Sequence, residues 1–146
     1  MLALASMQIE PNLRTELAVD WALQKRWLDV SAAGRAMMAA ALAANKNETD
    51  LPDALRQLAS EEQLEEATCW GLAIRLCRRL GGRSSTLFNV SSLGIEAGAL
   101  VLSIDERFSD LYGLPNERDL ALLANRLKLK PEMRLIPSSG DAAEDL

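Results

Sequence analysis

Arg75, Arg78 and Arg79 stand at helical spacing, within about a third of a turn of one another, and Arg83 follows just beyond. Guanidinium forks match phosphate oxygens in bidentate geometry, so the four form a candidate phosphate- or polyphosphate-binding cluster. Ser84, Ser85 and Thr86 add hydroxyl donors next to it. Gly71 falls on the same side as Arg75 and leaves room for a ligand to approach closely. The same arginines suit a second role. Cations in the last turns of a helix complement its dipole and pair with carboxylates on a solvated face. Both readings stay open on the residues alone.

Other chemistries are more readily set aside. The 146 residues include no histidine, which removes catalytic triads, His-bearing zinc sites and His-Asp phosphohydrolase centres together. Cys69 and Cys77 lie in one helical segment, about 12 Å apart along its axis, too far for a disulfide. They read as small apolar residues of a reducing cytoplasm and do not make a metal site. Glu61, Glu62, Glu65 and Glu66 read as the acidic start of a helix, without the apolar surroundings that would raise one carboxyl for general-acid work. Gly81-Gly82-Arg83-Ser84 follows a helix instead of joining a strand to one, so it reads as a C-cap and not a phosphate loop. Trp21, Trp27 and Trp70 have too few basic neighbours to stack bases and read as core or subunit-interface anchors.

The elements that must position these groups follow from periodicity. Leu13, Leu17, Trp21, Trp27 and Leu28 share a helical face over residues 13–28, with Asn12 as N-cap. Asp29 and Ser31 punctuate the chain before an alanine-rich helix over 32–45, whose small residues suit close helix packing and whose stop is Asn45. Pro52 opens a short helix to about Ala59. Ser60 and Gln63 form a capping box for the longest helix, about 61–80, whose apolar face is Cys69, Leu72, Ala73, Leu76 and Leu80, widened by Trp70 and Ile74. Residues 85–90 and 92–96 read as extended, Ala97-Gly98 as a tight turn and 99–104 as a strand. A short helix or turn over 105–112, a helix from Pro115 to about Lys128 and a strand over 132–136 complete the order.

The chain is therefore expected to be mainly α with a small α+β part. A helical region spans 1–82, a β-hairpin–helix–strand unit spans 83–136, and 137–146 is a disordered acidic tail. A net charge of -5 argues against non-specific binding to DNA or to an anionic membrane. No apolar run approaches the roughly 20 residues of a membrane span. Residues 1–7 lack the positive region of a signal peptide, so a cytoplasmic location is expected.

The strings become more specific when read in order. Trp27-Leu28-Asp29-Val30 through Gly34-Arg35, Met37, Met38 and Ala41-Leu42 resembles the C-terminal helical region of bacterial exopolyphosphatases and guanosine pentaphosphate phosphohydrolases, the Ppx/GppA phosphatase family. So does Trp70-Gly71-Leu72-Ala73-Ile74-Arg75-Leu76 leading to Arg79-Leu80-Gly81-Gly82. Ala99-Leu100-Val101-Leu102, Asp110-Leu111-Tyr112-Gly113 and Glu117-Arg118 follow in the family's order. The resemblance covers residues 11 to 136. It implies a degenerate HD-like helical region with a small α/β piece packed on it, which line a polymer channel and form a homodimer. In such enzymes, N-terminal actin-like domains carry the phosphate loops, the Mg²⁺ site and a catalytic glutamate. None of those motifs stands in this chain. The resemblance thus implies a non-catalytic part of a phosphoanhydride hydrolase acting on polyphosphate or guanosine pentaphosphate, and the cluster Arg75, Arg78, Arg79 and Arg83, read from its spacing, is the expected phosphate contact. Where many members have a histidine, this chain runs Ser31-Ala32-Ala33-Gly34-Arg35, which excludes HD-type hydrolysis. A helical protein-interaction module without phosphate chemistry is the alternative.

Overall fold

The computed structural model describes residues 13–25, 27–81 and 90–137. The expectations for Asn12, for most of the 85–90 segment and for the acidic tail lie outside them. A helical half is followed by a three-stranded mixed sheet with a helix, as the sequence pattern predicts. The chain divides into two compact units, one ending at Arg75 and one starting at Leu76. The sequence expectation put the boundary after residue 82.

The first unit holds α1 (Arg14–Gln24), α2 (Ala32–Ala44), the single turn α3 (Asp53–Arg56) and residues 61–75 of α4 (Glu61–Gly81). Ser31 caps α2, its hydroxyl accepting from the Gly34 amide at 3.0 Å. With Ala36, Ala39, Ala40 and Ala43 buried, α2 presents almost no side-chain bulk, which lets neighbouring backbones approach closely. Leu51, Leu55, Leu64 and Ala67 complete this core. The helix stops where expected, with Asn45 as its C-cap, and the left-handed residue is Asn47, at φ 73°. The capping box of α4 forms in both directions: Gln63 N donates to Ser60 Oγ at 3.2 Å, and Ser60 N to Gln63 Oε1 at 3.0 Å. Such a cap contributes about 1 kcal/mol and marks where α4 starts.

Two expected faces are corrected. In α1 the residues turned to the core are Val19, Ala22 and Leu23, whereas Leu13, Leu17 and Leu28 are exposed. The helix ends at Gln24, so Trp27 and Leu28 do not continue its wheel. Trp27 instead folds back, its indole Nε1 donating to the Ala22 carbonyl at 3.1 Å and its ring meeting Trp21 edge-on at 6.1 Å. In α4 the buried side is not one stripe. Leu64, Ala67, Thr68 and Gly71 are buried in its first half, and Leu72, Leu76 and Leu80 in its second. Trp70 and Ile74, expected to widen the core face, are 49% and 50% exposed.

The second unit contains residues 76–81 of α4, β1 (Ser91–Glu96), β2 (Ala99–Asp105), a 3-10 helix (Glu106–Leu111), α5 (Leu114–Arg126) and β3 (Lys130–Ile136). The sheet order is β1-β2-β3, antiparallel between β1 and β2 and parallel between β2 and β3. A parallel pair requires a crossover, and α5 supplies it. Register brings Leu93 opposite Leu102 and Leu102 opposite Met133 on one face. The central strand is accordingly the buried one: Leu100, Val101, Leu102 and Ile104 are at most 3% exposed. Leu120, Leu123 and Ala124 of α5 are buried with them, while Leu127 lies past the helix end and is exposed. Among the described residues no helix is long and apolar enough to cross a membrane.

Candidate polyanion-binding site

The second half of α4 presents the arginines, and each has a different setting. Arg75 is half-buried in the first unit, and its Nη1 donates to the carbonyl of Asn45 at a long 3.4 Å. Asn45 is the C-cap of α2, so Arg75 supplies a cation at the negative end of that helix. Arg78 is exposed. Arg79, in the second unit, pairs through Nε with Asp119 Oδ2 at 3.2 Å, and its Nη1 reaches the Pro115 carbonyl at 3.5 Å. The Asp119 carboxyl is only 6% exposed against 38% for Arg79, so the arginine reaches in from the surface to balance a buried charge. Arg83, Ser84, Ser85 and Thr86 lie outside the described residues.

Gly71 has a different use from the one expected. A Cβ added there would stand 2.3 Å from the Ala41 carbonyl oxygen and 2.7 Å from Ala44 Cβ. The space that glycine opens is filled by α2, and no ligand fits between them.

Sequence reasoning missed Asn116 and Asp119, both 4% exposed on α5. Their signal was present. They fall at the i, i+3, i+4, i+7, i+8 spacing of Leu120, Leu123 and Ala124, so the apolar wheel already held two polar residues that burial would force to find partners. Asn116 Oδ1 accepts from the Gly113 amide at 3.3 Å and closes the start of α5.

The acidic start of α4 is a solvated helix end. Glu61, Glu62, Glu65 and Glu66 are all exposed, and Glu61 accepts from Arg56 Nε at 3.1 Å. Arg56 also pairs with Asp53 at 3.0 Å and donates to the Leu51 carbonyl at 2.7 Å, which fixes α3 against the start of α4. Neither cysteine is in a disulfide. Cys77 lines a small apolar cleft with Leu76, Leu80, Leu93 and Leu102. Burial raises its thiol pKa, and a backbone hydrogen bond offsets this only in part, so it carries little of the thiolate that nucleophilic or metal chemistry needs. The cleft's volume, about 100 Å³, is below the several hundred that small-molecule sites occupy. Among the described residues no cluster of His, Cys, Asp or Glu could hold a metal ion.

No known protein family's sequence profile matches the chain, and no curated protein matches it as a relative.

Proposed function

We propose that this chain is the non-catalytic C-terminal part of an exopolyphosphatase-like phosphohydrolase of the cytoplasm, contributing polyphosphate contact and dimerisation. Catalysis and Mg²⁺ belong, on this reading, to N-terminal actin-like domains of the same enzyme. The carrying observation is that the two helical strings of the resemblance meet in the fold: Gly71, from the 70–76 string, is seated on Ala41, from the 27–42 string. The later strings fall on structural positions too, residues 99–102 on the central strand and 117–118 on the crossover helix. A resemblance following packed framework positions is what descent of a domain leaves behind, since those positions constrain one another. On this reading the polymer contacts are Arg75, Arg78, Arg79 and Arg83, and at Arg79 a phosphate competes with the Asp119 carboxylate.

Calorimetric titration of the purified chain with linear polyphosphate at two salt concentrations tests this. Binding at low salt, falling steeply as salt rises and weakened by Arg75→Gln with Arg83→Gln, supports it. Phosphate release by the chain alone with Mg²⁺ or Mn²⁺ overturns the non-catalytic assignment. The gene's upstream reading frame is a further check, expected to encode glycine-rich phosphate loops. The Arg79–Asp119 pair favours one alternative, a protein-interaction module whose basic residues are structural, and absence of polyphosphate binding at low salt selects it.

A further inference from the structure

β3 is an edge of the sheet, paired with β2 on one side only. Which of its backbone groups face outward follows from one hydrogen bond. The Lys130 amide donates to the Gly98 carbonyl at 3.2 Å, so Lys130 turns its backbone toward β2. In a parallel ladder alternate residues do the same, here Glu132, Arg134 and Ile136. Pro131, Met133 and Leu135 therefore turn theirs away from the sheet. Pro131 has no amide proton to lose at such a position, which is where a strand tolerates proline. Met133 and Leu135 each direct an N–H and a C=O outward. Their side chains stand opposite Leu102 and Ile104 in register. Leu102 and Ile104 are at most 3% exposed, whereas Met133 is 38% and Leu135 47% exposed. The buried apolar face of the sheet thus stays open along β3.

Charge distinguishes the two ends of this edge. Arg134 is held between Glu96 at 2.9 Å and Glu132 at 2.8 Å, so its charge is already balanced. Lys128 and Lys130 are exposed, and neither pairs with a carboxylate among the described residues. Lysine and proline are usual guards of an exposed edge, but here they cover only its beginning and leave Met133 and Leu135 unguarded. We infer that β3 takes up an extended acidic peptide as a fourth strand, through the backbone groups of Met133 and Leu135. Two alternate apolar side chains of the peptide lie beside Met133 and Leu135 and continue the buried face, while its carboxylates meet Lys128 and Lys130. Antiparallel pairing, the more stable kind, places those carboxylates C-terminal to the apolar pair. The surface belongs wholly to the second unit. It is independent of the polyphosphate reading and uses none of its arginines.

The probe is a blocked octapeptide that alternates valine and threonine and ends in two aspartates, titrated into the isotope-labelled full chain. Magnetic resonance should show the Met133 and Leu135 amides shifting, and their hydrogen exchange slowing severalfold, as the peptide saturates. Met133→Pro removes an outward N–H without touching the ladder to β2, and should weaken binding about tenfold or more, with circular dichroism confirming the fold. The same peptide N-methylated at its β3-facing amides tests the bonds with the protein unaltered, and should not bind. Lys128→Glu with Lys130→Glu should weaken binding of the aspartate peptide and favour one ending in two lysines. No shift at either amide with millimolar peptide, or binding indifferent to N-methylation, overturns the inference. Shifts confined to Lys128 and Lys130 would mean attraction of an acid without strand addition, and also overturn it. Shifts at Met133 and Leu135 that grow with protein concentration, without peptide, would assign the edge to a second copy instead.

Discussion

Gly71 and Ala41 are in direct backbone contact: a Cβ on residue 71 would lie 2.3 Å from the Ala41 carbonyl oxygen. The obstacle is a helix carbonyl, which cannot swing aside as a side-chain end can, and Ala44 Cβ closes the other direction at 2.7 Å. Gly71→Ala must therefore push α4 and α2 apart. Alanine gains about 1 kcal/mol of helix propensity over glycine, whereas overpacking costs roughly 1–3 kcal/mol and more against backbone. The net expectation is destabilisation by about 2 kcal/mol in urea unfolding. Gly81→Ala is the control, because nothing lies within 4 Å of a Cβ there. It should be neutral or slightly stabilising. Equal effects at the two positions would show that residue 71 is not a packing site.

The Arg79–Asp119 pair is asymmetric in burial, and its variants should be asymmetric too. Arg79→Gln leaves a carboxyl that is 6% exposed without its guanidinium, with an expected loss of about 1–3 kcal/mol. Asp119→Asn leaves an arginine that is already 38% exposed and free to turn toward water, so it should cost less. A double-mutant cycle in denaturant reads the coupling directly. If Arg79→Gln proves as stable as the wild type, the arginine is available to ligands after all.

Local rules were legible in the sequence wherever one residue type settles the geometry. The Ser60–Gln63 box and the Ala97-Gly98 turn appear where their chemistry placed them, and Ser31, read only as a break in the chain, caps the helix that follows. The wheels of α1 and α4 were less legible, because a wheel ranks residues by apolarity and burial here follows fit. Ala67 and Gly71 are buried because α2 offers an alanine surface that only small residues can meet closely, while the larger Trp70 stays out. The parallel pairing of β3 with β2 was not legible either, since strand order is set by where the crossover helix packs. At the arginine cluster, spacing located the side chains, but their acceptors, Asn45 and Asp119, lie 30 and 40 residues away in the chain. Long-range partners of that kind leave no mark in local pattern.

Asp105 should give the second unit an acid-sensitive stability. Its Oδ1 accepts from the Arg107 amide at 3.0 Å and from Arg107 Nε at 3.1 Å, and its Oδ2 accepts from Nη2 at 2.8 Å. These bonds from Arg107 hold its pKa below the ordinary carboxylate range, against the opposing effect of desolvation. A depressed native pKa means that the unfolded chain takes up the proton first as pH falls. The contribution is thus complete above the unfolded value of about 3.9 and is lost as pH drops through the lower native one. Unfolding free energy measured against pH should therefore decline more steeply below about pH 4 for the wild type than for Asp105→Asn. Parallel curves in that window would show that the pair does not couple to folding.

Ala97 carries a strain that a single substitution should relieve. It sits at φ 47° and Gly98 at φ 82°, and the two join β1 to β2 directly. A two-residue hairpin of this kind needs both central residues left-handed, because that twist matches the strands on either side. Gly98 adopts the conformation freely. Ala97 does not, since its Cβ crowds the backbone at a cost of roughly 1–2 kcal/mol, and it has no side-chain polar group to offset this. Asparagine tolerates the region and is the commonest first residue of such turns. Ala97→Asn should accordingly stabilise the protein by about 0.5–1 kcal/mol, seen as a rise of a few degrees in Tm. Ala97→Gly relieves the same strain but adds freedom to the unfolded chain, so it should gain less. Ala97→Val, branched at Cβ, should lower Tm instead. The expected order, read by calorimetry, is Asn above Gly above Ala above Val, and a ranking with Val at or above Ala would show that residue 97 is not held left-handed in solution.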